Sequence, residues 1–201
     1  KGVGKTTMIL QYIKLNYKLL DRQVLYVSCE DKYFSNHSLL SLAEQFYLNG
    51  GRHLFLDEVH KYDDWSNEIK EIYDFYPTMR VVLSGSSLLS MTEGDADLAR
   101  RCINHDIQGL SFREFLHFYK GIKMPVYPLE QVLENPAPLI EEMNKHGRPI
   151  ALLKEYLKYG YYPYYLNNET DYHIAIQQVV NKIIDIELPR ICGVDLNNTR
   201  K

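Results

Sequence analysis

The chain begins with the glycine-rich stretch KGVGKTT (1–7), which restricts its fold and chemistry more than any other segment. Gly4, Lys5 and Thr6 match the last three positions of the phosphate-loop pattern G-x-x-x-x-G-K-[ST]. Glycines allow backbone N–H groups to curve around a phosphate, and a helix that begins near Lys5 adds the positive end of its dipole. The alternative is a glycine turn before a helix in which the lysine occurs by chance. If the loop binds phosphate, the residues predicted to hold it are Gly2, Val3, Gly4, Lys5, Thr6 and Thr7.

Apolar segments alternate with helical patterns after this loop. The segments QVLYVSC (23–29), HLFLDE (53–58) and RVVLSGSS (80–87) are predicted as buried strands, with amphipathic helices between them. Strands that alternate with helices of this length predict an α/β fold with a mostly parallel, doubly wound sheet. The segment INHDIQG (103–109) is predicted as a further strand of the same sheet.

The second half of the chain has a helical pattern. It follows SFRE (111–114), a capping box in which Ser111 and Glu114 satisfy each other's backbone N–H groups at the start of a helix. Four of the eight prolines lie between residues 125 and 138, which makes this stretch the best domain boundary. We therefore predict a sheet-containing domain over 1–122 and a helical region over 123–201.

A pair of acidic residues, Asp57 and Glu58, ends the second predicted strand in LFLDE (54–58). Alone, such a pair is more often a solvated turn, but one strand and one helix separate it from the loop, as in a P-loop ATPase. In that architecture Asp57 and the Thr6 hydroxyl would hold Mg²⁺, while Lys5 would contact the β- and γ-phosphate oxygens. Glu58 could orient or deprotonate an attacking water. Together the two motifs predict ATP binding with Mg²⁺ as the cofactor.

Four segments carry a resemblance to a known family: GVGKTTM, LFLDEVHKYDDW, VVLSGSS and GLSFREF. In this order and spacing they resemble the prokaryotic AAA-type ATPases, in the archaeal-ATPase-like group that often carries a C-terminal domain of unknown function. The resemblance covers about residues 1–120 and extends more loosely to EYLKYGYYP (155–163), where the family's Gly-Gly is Gly160-Tyr161. It implies an AAA-type P-loop NTPase fold, followed by a helical segment and then a winged helix.

The resemblance also implies roles for residues after the third strand. Ser86, or as second choice Ser84, would lie near the γ-phosphate, although Ser86 could equally cap a helix. Arg100 or Arg101 could contact the γ-phosphate as an arginine finger, in the same subunit or in a neighbouring one. The alternative is a solvated pair or one that interacts with a helix C-terminus. His60 is interpreted as a surface histidine.

The phosphate-loop pattern lacks its first glycine, which would stand two residues before Lys1, and the strand that should precede it. In the fold that the resemblance implies, this strand lies in the middle of the sheet. Unpaired backbone groups on both neighbouring strands would be costly. We therefore expect the chain to be a fragment, trimmed at both ends, that ends about where the winged helix would begin.

Charge and cysteine content limit the partners and the compartment. The formal net charge of −3 disfavours a surface that mainly binds nucleic acid. If the protein binds nucleic acid, we expect it to do so through the winged helix. No apolar run is long enough to span a bilayer, so no membrane partner is expected. The three cysteines are widely separated and odd in number, as is typical of a cytoplasmic protein. ATP, ADP and further copies of the chain remain as expected partners.

The predicted function is Mg²⁺-dependent ATP hydrolysis coupled to a conformational change. The alternative is a nucleotide-dependent regulatory switch with little turnover, and Glu58 favours the first because a switch needs no polarised water. Transfer of the phosphoryl group to a small acceptor is a third function, which the acidic pair disfavours.

Overall fold

The structure is a computed structural model that describes residues 2–85, 98–163 and 171–187. Its contacts divide the chain into two compact units. Among the described residues, the first contains residues 5–106 with Ile186 and Glu187, and the second contains residues 107–185 together with Gly2–Gly4. The boundary predicted at residues 122–123 falls inside the second unit. In the described part of the chain, no helix is long and apolar enough to cross a membrane.

The first unit is built on a three-stranded parallel sheet in the order β1-β2-β3. Its elements, in chain order, are α1 (Lys5–Asn16), β1 (Val24–Ser28), α2 (Leu39–Leu48), β2 (His53–Asp57), α3 (Trp65–Phe75) and β3 (Arg80–Leu83). In register, Ser28 on β1 lies opposite Asp57 on β2, and Leu56 on β2 lies opposite Leu83 on β3. The predicted α/β fold with parallel strands is confirmed, and the residue that ends β2 lies on the middle strand.

The side chains of β2 alternate between the two faces of the sheet. Leu54 and Leu56 are fully buried in a core cluster that includes residues of α2 and α3. Phe55 points to the opposite face, where its ring centroid lies 6.1 Å from that of Tyr12 on α1. Residues of β2 therefore contact α2 and α3 on one face and α1 on the other.

The segment 103–109, predicted as a strand, is not one. In the range 98–163 it pairs with no strand, and Ile103 is 85% exposed. A strand needs a neighbour that satisfies its backbone N–H and C=O groups, and a short apolar pattern does not provide one. The segment is therefore an irregular connection, after which the Leu110 N–H donates to the Tyr161 carbonyl at 2.8 Å.

Described residues of the second unit form mostly helices. The helices are α4 (Phe112–Lys120), α5 (Leu129–Glu134), α6 (Ala137–Lys145), α7 (Pro149–Glu155) and α8 (Tyr172–Lys182). The π-helical turns Tyr156–Gly160 and Ile183–Glu187 continue α7 and α8. Phe115 and Leu116 on α4 and Tyr172 on α8 form the buried centre of this unit.

The predicted capping box begins α4 and is confirmed. The Glu114 N–H donates to Ser111 Oγ at 3.3 Å, and the Ser111 N–H donates to Glu114 Oε2 at 2.7 Å. Hydrogen bonds from the Ser111 backbone and side chain lower the pKa of the Glu114 carboxyl below its ordinary value. The box therefore stabilises the folded state most when Glu114 is ionised.

Ser111→Ala is expected to lower the free energy of unfolding by about 1 kcal/mol at pH 7, because a helix N-cap is lost. The folded-state pKa of Glu114 lies below its unfolded value, so the carboxylate's contribution is present above the unfolded pKa and is lost as pH falls through the folded pKa. Urea unfolding of the wild type and of Ser111→Ala at pH 7 and pH 3 measures the difference in their free energies of unfolding. A loss of equal size at both pH values would contradict a contribution from the hydrogen bond that the Ser111 hydroxyl donates to the Glu114 carboxylate.

Candidate functional site

Asp57 is the centre of the candidate site. It is the last residue of β2, the middle strand, and is only 3% exposed. In open α/β sheets, ligands bind at the carboxyl ends of the parallel strands, which is where Asp57 lies. A buried carboxylate requires hydrogen bonds, and its partners define the site.

Four donors surround the Asp57 carboxylate. Oδ2 accepts from Thr6 Oγ1 at 2.6 Å and from the Tyr26 hydroxyl at 2.9 Å. Oδ1 accepts from the Glu58 backbone N–H at 3.1 Å and from the Ser84 hydroxyl. Thr6, in the first turn of α1, is 51 residues from Asp57 in sequence. The fold thus brings the hydroxyl of the glycine-rich motif into contact with the acid of the second motif.

The donors also set the protonation state of the site. Burial alone would raise the pKa of Asp57, but the hydrogen bonds from Ser84, Thr6, Tyr26 and the Glu58 backbone lower it below its ordinary value. Burial and the hydrogen bond to Asp57 raise the pKa of Tyr26 to about 12. At neutral pH Asp57 is therefore an anion, and Tyr26 keeps the proton that it donates.

Glu58 directly follows the strand in a left-handed backbone conformation, with φ 54° and ψ 41°. Few residues other than glycine adopt this region, and when they do they are often at functional sites. Its Oε2 is buried, has no hydrogen bond within the described ranges, and lies 3.4 Å from His60 Nε2. The His60 side chain is 8% exposed, so its interpretation as a surface histidine is wrong. The tight turn Val59–Lys61 after Glu58 folds His60 back towards the carboxylate.

Two residues of the glycine-rich stretch have the positive φ values that glycine adopts readily. Gly2 and Gly4 have φ values of 77° and 96°, in the region that favours glycine. A Cβ at Gly4 would lie 4.0 Å from Pro163 Cγ, an ordinary contact, so conformation and not space requires glycine there. Lys5 begins α1, and no acidic residue occurs in its first turn. Lys5 and Thr6 are half-buried and Thr7 is exposed, whereas Gly2, Val3 and Gly4 are grouped with the second unit.

The residues after β3 are found in several environments. Ser86 lies outside the described residues, whereas Ser84 is buried and bonded to Asp57. Arg100 ends the short turn Leu98–Arg100 and is exposed. Arg101 donates from Nε and Nη2 to the two carboxylate oxygens of Asp74 on α3, at 3.2 and 3.1 Å. Arg100 is therefore the more exposed of the two arginines.

The residues around Asp57 suit Mg²⁺. Mg²⁺ prefers oxygen ligands, and usually takes one or two from a protein and the rest from water and phosphate. Thr6 Oγ1 and the Asp57 carboxylate provide such oxygens in direct contact. Across residues 2–85, 98–163 and 171–187, no three His, Cys, Asp or Glu side chains cluster as metal ligands would.

Sequence reasoning missed Tyr26 as part of the site. It belongs to a strand predicted as buried, where a tyrosine usually contributes packing. The sequence could have indicated Tyr26 by its position. It lies two residues before the end of β1, the strand next to β2, and its side chain ends in a hydroxyl. His60 was named in the sequence, but its contact with Glu58 depends on the turn at Val59–Lys61.

The parallel sheet, the glycine-rich turn before α1 and the Thr6–Asp57 contact define a protein of the α/β, P-loop-like class. The chain belongs to a family described as the AAA domain, whose model matches residues 1–116. It is 26% identical, over 213 aligned residues, to an uncharacterized protein of Methanocaldococcus jannaschii. That alignment covers all of this chain and 45% of the relative, so the chain spans less than half of the relative's length. No solved structure matches the chain. The resemblance to the archaeal-ATPase-like group is confirmed.

Proposed function

We propose that this protein binds ATP with Mg²⁺ and hydrolyses it to drive a conformational change. The observation that carries the proposal is the hydrogen bond between Thr6 and Asp57, since it joins a hydroxyl in the first turn of α1 to a strand carboxylate at the C-terminal edge of a parallel sheet. Membership of the AAA domain family supports nucleotide binding in general. The proposal includes a doubly wound sheet, and β1, β2 and β3 are three of its strands.

Each motif has a part in the proposed chemistry. The backbone of residues 2–7 holds the phosphates, and the Lys5 ammonium contacts the β- and γ-phosphate oxygens. Mg²⁺, held by Thr6 and Asp57, would neutralise charge on those oxygens. Glu58 accepts a proton from the attacking water, and Ser86 and an arginine contact the γ-phosphate.

A regulatory switch with little turnover is the second candidate. The contact between Glu58 Oε2 and His60 Nε2 favours it, because the carboxylate is held beside a side chain of its own turn. In both functions the nucleotide site is the same, and only the action of Glu58 differs. The proposal applies to the whole protein. It includes ATP, ADP and further copies of the chain as partners, and the cytoplasm as the location.

Lys5→Ala in the full-length protein is expected to weaken ATP binding by about tenfold or more. A hydrogen bond to a charged group contributes about 1.5–3 kcal/mol, and about 1.4 kcal/mol corresponds to a factor of ten. Titration calorimetry with ATP and Mg²⁺ measures the dissociation constant. Lys14→Ala, in the last turn of α1, is the matched control and should bind as the wild type does. Equal affinities for wild type and Lys5→Ala would reject the phosphate-loop assignment.

A further inference from the structure

Hydrogen bonds reach Asp57 from the strands on both of its sides. Tyr26 belongs to β1 and donates to Oδ2, while Ser84 directly follows β3 and bonds to Oδ1. These two strands are the neighbours of β2 in the sheet. The carboxylate is thus held at each oxygen by a different part of the sheet.

An aspartate requires such support to keep one orientation. Its terminal torsion joins an sp³ to an sp² carbon and has a broad, roughly two-fold energy profile. Backbone position alone therefore does not determine where its two oxygens point. A hydrogen bond to each oxygen from opposite sides fixes this torsion.

Tyr26 differs from Thr6, the other donor to Oδ2. Thr6 is a proposed metal ligand, so its hydroxyl must turn a lone pair towards Mg²⁺ when the metal binds. Tyr26 lies on a strand whose backbone is paired with β2 from Val24 to Ser28. Its ring is half-buried, which limits the positions of its hydroxyl. Tyr26 can therefore keep its hydrogen bond while Thr6 reorients.

We propose that Tyr26 is a positioning residue that orients the Asp57 carboxylate for Mg²⁺, with Ser84 as its counterpart on the other oxygen. Tyr26 touches Asp57 and acts through it. Hydrogen-bonding partners of this kind, one step removed from the metal, typically change metal affinity by about 10–100-fold. The inference deepens the proposed function and rests on it, because it requires Mg²⁺ at this site.

The experiment compares metal dependence with nucleotide binding in the full-length protein. Affinity for the non-hydrolysable analogue AMP-PNP is measured in EDTA and in saturating Mg²⁺, and Mg²⁺ is then titrated at fixed analogue. In Tyr26→Phe the Mg²⁺ concentration at half-saturation should rise by about tenfold or more. The affinity in EDTA should stay at the wild-type value, because the phosphate-binding backbone is untouched. Ser84→Ala should change Mg²⁺ binding in the same direction.

A matched control removes a similar hydrogen bond elsewhere. The Tyr62 hydroxyl donates to Glu68 Oε1 at 2.6 Å, so Tyr62→Phe also breaks a tyrosine–carboxylate bond. Its Mg²⁺ titration should match the wild type. A similar shift in Tyr62→Phe would overturn the inference, since the effect would then come from general destabilisation.

The remaining outcomes separate the inference from the proposed function. If wild-type protein binds the analogue more tightly with Mg²⁺ but Tyr26→Phe has an unchanged half-saturation, the inference is overturned and the function stands. A parallel loss of affinity with and without Mg²⁺ would make Tyr26 merely structural and also overturn it. A lower half-saturation would show that Tyr26 competes with the metal, which is the opposite role. If the wild type itself shows no Mg²⁺-dependent binding, both proposals fail.

Discussion

Glu58→Gln in the full-length protein is expected to lower ATP turnover by about 100-fold or more while ATP still binds, because a general base is lost and the shape is kept. Glu58 directly follows the buried Asp57, and its left-handed backbone conformation turns the chain there. Its Oε2 is buried without a hydrogen bond in the described part of the protein, so the carboxylate can accept a proton. Phosphate release at saturating ATP measures turnover, and calorimetry measures binding.

Glu30→Gln is the matched control for Glu58→Gln. Glu30 follows β1 near the same edge of the sheet, is exposed, and lies 3.8 Å from the Lys61 ammonium. Neutralising it changes the charge near the site without removing a base, so turnover should stay close to the wild-type value. Unchanged turnover in Glu58→Gln would move the catalytic role to another residue. Wild-type protein that binds ATP and does not hydrolyse it would favour the switch.

The features around Asp57 that could be predicted from the sequence are those that depend on local patterns. Glycines before a helix, and an acid at the end of an apolar strand, are each visible within about seven residues of sequence. Their contact could be expected because the carboxyl ends of parallel strands meet at one edge of the sheet. The hydrogen bond between Thr6 and Asp57 lies at this edge.

The features that sequence reasoning missed depend on contacts between distant residues. Tyr26 and Asp57 are 31 residues apart, and only the register of β1 against β2 shows that they meet. The segment 103–109 shows the opposite error. Its composition suits a strand, but strand formation depends on a neighbour, and a local pattern does not contain that information. Ser84 was second choice for a phosphate contact, and its bond to Asp57 gives it a partner that the pattern did not suggest.

Substitutions of Arg100 and of Arg101 are expected to have different effects on turnover, because the two side chains differ in exposure. Arg101 forms an ion pair with Asp74 of the same chain, in which two guanidinium N–H groups donate to the two carboxylate oxygens. Its replacement by alanine should cost at most about 1 kcal/mol of stability, as for exposed ion pairs, and leave turnover near the wild-type value. Arg100 is exposed at the end of its turn. We propose Arg100, the more exposed of the two, as the arginine finger.

Arg100→Ala is expected to reduce turnover by about 1000-fold, because an arginine finger contributes roughly 10³-fold or more to the rate of phosphoryl transfer. An exposed arginine can reach a neighbouring copy, so the rate per subunit should rise with protein concentration as subunits associate. Mixing Arg100→Ala with Glu58→Gln tests this arrangement directly. At their interface, the first variant contributes an intact Glu58 and the second an intact Arg100, which together complete one site. Mixing should therefore restore activity that neither variant has alone, whereas Arg101→Ala should be active without being mixed with a second variant. A rate per subunit that stays constant across concentration, with no recovery on mixing, would exclude a finger supplied by a neighbour.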